Sequence, residues 1–148
     1  MVNFSTQNPK EWLAIAARNL RSAHKCMRGG DDTLDDAAYF MQQSAEKALK
    51  AFLVCHHVSF RRTHDLEVLL IDCVAIDFTF IQLQQYAFDL KEYIVKTRYP
   101  DDYIEITRDE AKVAYKKAKT IYEHVVMRSG LAVDYSIGTR RPKRPKTT

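Results

Sequence analysis

The sequence predicts an all-α protein: an up-down bundle of four long helices plus one short helix, followed by a basic C-terminal tail. Three observations point there. Apolar and small residues recur at intervals of three and four, as in Phe40, Met41, Ser44, Ala45, Ala48, Leu49, Phe52 and Leu53. The 148 residues include only 4 Gly and 4 Pro, so turns are few. Recognisable helix starts and stops separate the periodic stretches.

Asn8-Pro9 opens the first helix, with Asn as the cap and Pro at the first helical position. Trp12, Ala16, Leu20, Ala23 and Met27 mark one face, and Gly29-Gly30 ends it near Arg28. Asp31, Asp32 or Thr33 caps the second helix, where Asp35 and Asp36 suit the first turn. That helix runs to about Cys55 or His57, and Val58 to Thr63 form a connecting turn. The short third helix starts near His64 and uses Leu66, Leu69, Leu70 and Cys73. Val74 to Phe80 is read as a helix break. The fourth helix covers about Thr79 to Thr97 with Ile81, Tyr86, Leu90, Tyr93 and Ile94 inward, and Tyr99-Pro100 stops it. Thr107-Arg108-Asp109-Glu110 is a capping box, the clearest helix start in the chain. Ala111, Ala114, Ala118, Ile121 and Val125 follow, and Gly130 ends the last helix.

The length fits one domain, read as residues 1–130, with a C-terminal extension over 131–148 that is disordered from about Gly138. The first ten residues lack the apolar core of a signal peptide, and Asp72 and Asp77 interrupt the most apolar region, so no membrane span is expected. Cys26, Cys55 and Cys73 form no CxxC pair and read as buried reduced thiols of a cytoplasmic protein. The net charge of +4 comes from the tail: Arg140, Arg141, Lys143, Arg144 and Lys146 stand there against Asp134, which leaves residues 1–128 at zero. Broad attraction to RNA is thus assigned to the tail, or to a local patch that the sum conceals.

The chain is organised around residues 38–66. Opposite the apolar stripe of the second helix stand Gln43, Glu46, Lys47 and Lys50, with Glu46 four residues before Lys50 as in a helical ion pair. Ser44, Ala45 and Ala48 are small enough to let a neighbouring helix approach closely. Arg61-Arg62-Thr63-His64-Asp65 then gathers five polar residues at a helix start, where free N–H groups favour an anion.

Gln43-Ser44-Ala45-Glu46-Lys47-Ala48-Leu49-Lys50, Thr63-His64-Asp65-Leu66 and Arg98-Tyr99-Pro100-Asp101, in that order, together with Trp12 and the alanine-rich helix after it, resemble the HEPN domain family over about residues 9–128. The resemblance implies a helical, often dimeric protein. It also implies a minimal nucleotidyltransferase partner in a toxin–antitoxin pairing, and nucleotide or RNA contact through Lys47, His64 and Arg98, to which Arg62 of the polar turn adds a forked phosphate donor. HEPN ribonucleases pair an Arg with a later His, with four to six residues between them, and need no metal. Arg98 matches that Arg, but Tyr103 stands where the His is expected. Tyrosine ionises near pH 10 and is a weaker general base than histidine. Three readings stay open: a dimeric nucleotide-associated regulatory module, a metal-independent ribonuclease using Arg98, His64 and Tyr103, or a helical scaffold that recruits a protein partner through its surface and basic tail.

Simpler roles account for the same residue types. Arg98 suits a helix C-terminus, and Thr63 or Asp65 suits a cap. RRPKRPK in the tail suits nucleic acid, an anionic partner or nuclear import. No glycine-rich phosphate loop, HExxH motif or GxSxG elbow occurs, and no metal or cofactor is expected.

Overall fold

The computed structural model describes residues 7–60, 62–98 and 105–131, with 94–98 described by their backbone alone. Five α-helices occur among these residues: α1 Pro9–Arg28, α2 Leu34–Cys55, α3 Leu66–Ile76, α4 Gln84–Arg98 and α5 Arg108–Ser129. Short 3-10 segments, Asp31–Thr33 and Phe78–Leu83, lead into α2 and α4. The all-α bundle of four long helices and one short one is therefore the observed architecture.

The caps follow the residue chemistry. Asn8 accepts a hydrogen bond from the Lys10 N–H at 3.0 Å, and Thr107 accepts one from the Glu110 N–H at 3.2 Å. Gly130 ends α5 at φ 72°, a left-handed position that glycine adopts without strain. Where the sequence left three caps open before α2, Asp31–Thr33 forms a 3-10 turn. The Thr33 hydroxyl donates back to the Cys26 carbonyl at the end of α1.

α2 is the centre of the bundle and packs against α1, α3, α4 and α5. Its small residues permit this: Ser44, Ala45, Ala48 and Ala51 are fully buried. The Ser44 hydroxyl, which has no water to bond, donates to the Ala16 carbonyl of α1 at 2.8 Å. Phe52, Phe80, Tyr122 and leucines from α1, α2 and α3 fill the space between the helices.

Several expectations need correction. α4 begins at Gln84, not Thr79, because Phe78–Leu83 winds as a 3-10 segment. Side chains three apart eclipse one another in that geometry. Phe80 and Leu83 therefore turn inward, while Ile81, expected inside, is exposed. α3 starts at Leu66 with Asp65 as its cap. Of the cysteines, Cys73 is buried, but Cys26 and Cys55 are only partly so. On the polar face of α2, Glu46 and Lys50 are buried while Gln43 and Lys47 are half-buried. Ile94, by its side chain, and the tail from Ala132 lie outside the described residues.

The break after α3 is stapled to α5. Thr79 donates its hydroxyl proton to Asp77 at 2.6 Å, so it accepts from the Nε2–H of His124 at 3.0 Å. Arg128 closes the network on the other Asp77 oxygen at 2.5 Å. On the outer side of this segment Phe78 is 74% exposed, with Ile81 in line with it and Ile71 of α3, 63% exposed, nearby. Phe88, one turn after Gln84, extends this apolar ridge along α4.

Candidate functional site

The site is built on α2 and the turn before α3. Gln42 and Glu46 lie one helical turn apart and grip the same residue. The Gln42 side-chain amide donates to the His64 carbonyl at 2.9 Å, and Glu46 Oε1 lies 2.7 Å from His64 Nδ1. An ionised carboxylate only accepts hydrogen bonds, so Nδ1 carries the proton. The second ring nitrogen, on an imidazole that is 82% exposed, has no hydrogen-bond partner among the described residues.

Glu46 holds two further partners through its other oxygen, Lys47 at 2.8 Å and Lys50 at 3.2 Å. Burial opposes ionisation of Glu46. The Lys47 hydrogen bond, the charges of Lys50 and Lys47 and the His64 bond outweigh it and hold the carboxyl below its ordinary range. Burial also dominates at Lys50 and lowers its affinity for its proton, against the pull of Glu46. Aromatic rings complete the enclosure. Trp12 of α1 lies 5.8 Å from both ammonium groups and meets Phe60 edge-on at 5.7 Å. Lys50 also sits 5.2 Å from the Phe60 ring.

The turn is tied to α4 as well. Asp65 caps α3 through the Glu67 N–H at 2.9 Å and pairs with Lys91 at 3.0 Å. Burial opposes the Asp65 charge, yet the Lys91 and Glu67 bonds hold its carboxyl below the usual value, and the same pairing raises Lys91. Arg98 stands seven residues after Lys91. Two helical turns place its backbone on the same side of α4, about 10 Å further along the axis.

The sequence candidates fall out as follows. Lys47 and His64 share Glu46 and belong to one cluster. Arg62 is exposed at the edge of the same turn. Arg98 is on the helix that anchors the turn, with only its backbone described, and Tyr103 lies outside the described residues. Thr63 and Asp65 do make the local bonds expected of a capped turn. Sequence reasoning did not single out Trp12, Gln42, Lys50, Phe60 and Lys91 as parts of the site. The available signal was the Gln42, Glu46, Lys50 series at intervals of four on a helix whose other faces are apolar. Among the described residues no group of three or more His, Cys, Asp or Glu is placed to hold a metal ion. None of their helices is long and apolar enough to cross a membrane.

These motifs coincide with what comparison finds. No curated protein matches the chain. Its fold is similar to the crystal structure of an archaeal HEPN homologue, with a TM-score of 0.67 and 27% identity over 82% of this chain and 98% of that one. The family model described as HEPN domain matches residues 9–129, which takes in α1 through α5 and every described residue of the site. The chain belongs to the HEPN domain family.

Proposed function

We propose that this chain is a dimeric nucleotide-associated regulatory module of toxin–antitoxin type, working with a minimal nucleotidyltransferase. One observation carries the reading: a buried carboxylate presents the exposed His64 imidazole beside Lys47, with Arg62 on the same turn. With a proton on Nε2 as well, the preset imidazole edge donates to a phosphate group of a nucleotide, with the cations beside it. Arg98 is the fourth contact. The transferase partner comes from the family, whose helical proteins are paired with such enzymes. The dimer is assigned to the ridge of Ile71, Phe78, Ile81 and Phe88, since a contiguous apolar patch is rarely left open to water.

Calorimetric titration with nucleoside triphosphates tests the contact. Binding that weakens about tenfold in His64→Ala and in Arg98→Ala, a loss of about 1.4 kcal/mol each, is expected. Equal affinity in both variants overturns it. Co-expression with the transferase followed by intact-mass measurement tests the pairing: an added nucleotidyl mass supports it, and an unchanged mass removes it.

The tautomer at His64 favours a second reading, a metal-independent ribonuclease. A neutral imidazole held through Nδ1 has its other nitrogen free to accept a proton from an RNA 2′-hydroxyl, while Arg98 neutralises the phosphate and Tyr103 serves the leaving group. RNA cleavage in chelator that falls at least about tenfold in Arg98→Ala and in His64→Ala supports it. Cleavage no faster than buffer removes it.

A further inference from the structure

The net charge of zero over residues 1–128 hides a separation of charge. Residues 31–77 contain nine acidic and four basic side chains. Helix α1 has five basic side chains against Glu11, and α5 has six against Asp109, Glu110 and Glu123. Protein surfaces ordinarily intersperse the two signs, so the sorting is itself informative.

The cations are also aligned. Arg18, Arg21, Lys25 and Arg28 succeed one another at three and four residues, which places them in one row along α1. Lys112, Lys116 and Lys119 make the same kind of row on α5. The two helices pack antiparallel. Arg108, at the start of α5, donates to the Met27 carbonyl near the end of α1, and the His24 ring lies 5.8 Å from Tyr115 further along. At about 100° per residue the α1 row centres about 80° round from His24 and the α5 row about 70° round from Tyr115, and antiparallel packing turns both rows to the same side of that contact. Packed helices have axes about 8–10 Å apart, so the two rows border a single shallow trough.

Little acid answers them. Glu123 stands 3.9 Å from Lys119, and Asp31 takes Arg108 at 2.9 Å. Among the described residues Arg18, Lys25, Arg28, Lys112 and Lys116 enter no ion pair, and all five are exposed. Trp12 leaves α1 on its other flank, toward Lys47 and Lys50, so the trough and the His64 site lie on opposite sides of that helix.

We infer that the α1–α5 face binds the phosphate backbone of a nucleic acid without reading its sequence. Repeated cations in two parallel rows match a repeating polyanion, and three of the four cations in the α1 row are arginines, whose forked donors suit phosphate oxygens. The inference does not depend on the reading of the His64 site.

The test is fluorescence anisotropy of the full chain with labelled single-stranded oligouridylate and with a labelled RNA duplex, between about 50 and 200 mM salt. The variant Arg18→Gln, Lys25→Gln, Lys112→Gln, Lys116→Gln changes exposed residues only, and its thermal unfolding is compared with the parent. With four phosphate contacts removed, the slope of log K against log salt is expected to fall by about 3. Affinity at low salt should drop at least tenfold on one of the two RNAs, while a chain lacking residues 138–148 keeps a larger share of its binding. Affinity and slope equal to the parent overturn the inference. So does a parent chain that binds neither RNA but binds an acidic polypeptide, or binding that disappears only with the tail.

Discussion

Glu46 Oε1 lies 2.7 Å from His64 Nδ1, with the carboxylate wholly buried and the imidazole largely in water. The two ends of this bond are not equivalent. Glu46→Gln leaves Lys50 buried without its charge partner, and breaking a buried ion pair from one side costs about 3–5 kcal/mol. His64→Ala removes an exposed ring and leaves Glu46 with Lys47 and Lys50. Its cost is expected near about 1 kcal/mol, that of one hydrogen bond. Urea unfolding of both variants checks the order, and equal losses contradict it.

Acid should loosen the same cluster. The folded-state pKa of Glu46 is depressed below its ordinary 4.5. Its contribution is therefore complete above that value and is lost as pH falls through the folded pKa. Thermal unfolding of the parent should show a steep fall in stability below about pH 4.5 that is shallower in Glu46→Gln.

Asp77 and His124 give two further windows in the staple between the 3-10 segment and α5. Hydrogen bonds from Thr79 and Arg128 bring the Asp77 carboxyl to about 2 from 3.8. Its contribution is present above 3.8 and is lost as pH falls toward 2, a component that Asp77→Asn should abolish. Burial depresses His124, with Asp77 opposing and Arg128 adding to the shift. Below its ordinary 6.5 the unfolded chain takes up the proton first, so stability falls with acid there as well. His124→Gln should flatten the profile in that upper window alone, as measured by unfolding midpoints across pH.

His57 stands at the end of α2 with φ 58°. Its N–H donates to the Val54 carbonyl at 3.0 Å, and Val58 N–H reaches Leu53 at 2.9 Å, a turn in which glycine is usual. His57→Gly relieves the left-handed strain and should raise stability by about 0.5–1 kcal/mol. A lower unfolding midpoint counts against this account of the turn.

Phe78 and Ile71 bear on the proposed dimer. Both project into solvent from elements anchored on their inner sides. Ile71→Lys with Phe78→Lys should change the fold stability by less than about 0.5 kcal/mol, as exposed substitutions do. Light scattering should then report half the parent mass. An unchanged mass moves the dimer contact elsewhere.

The sequence by itself determined the helices, because their signals are local. A capping Asn or Thr, a terminal Gly and apolar spacing act within a few residues, and Asn8, Thr107 and Gly130 do what their chemistry requires. The HEPN pattern in residues 43–50 and 63–66 was legible for the same reason. The tertiary structure decided what those polar residues touch. Glu46 and Lys50 look like a solvent-facing pair along the chain, but the loop bearing Phe60 and the Trp12 ring cover them. Burial is set by elements distant in sequence, so it converts a weak surface pair into the anchor of His64. The basic trough is another such case: α1 and α5 each show a row of cations, but only their antiparallel packing sets the two rows side by side.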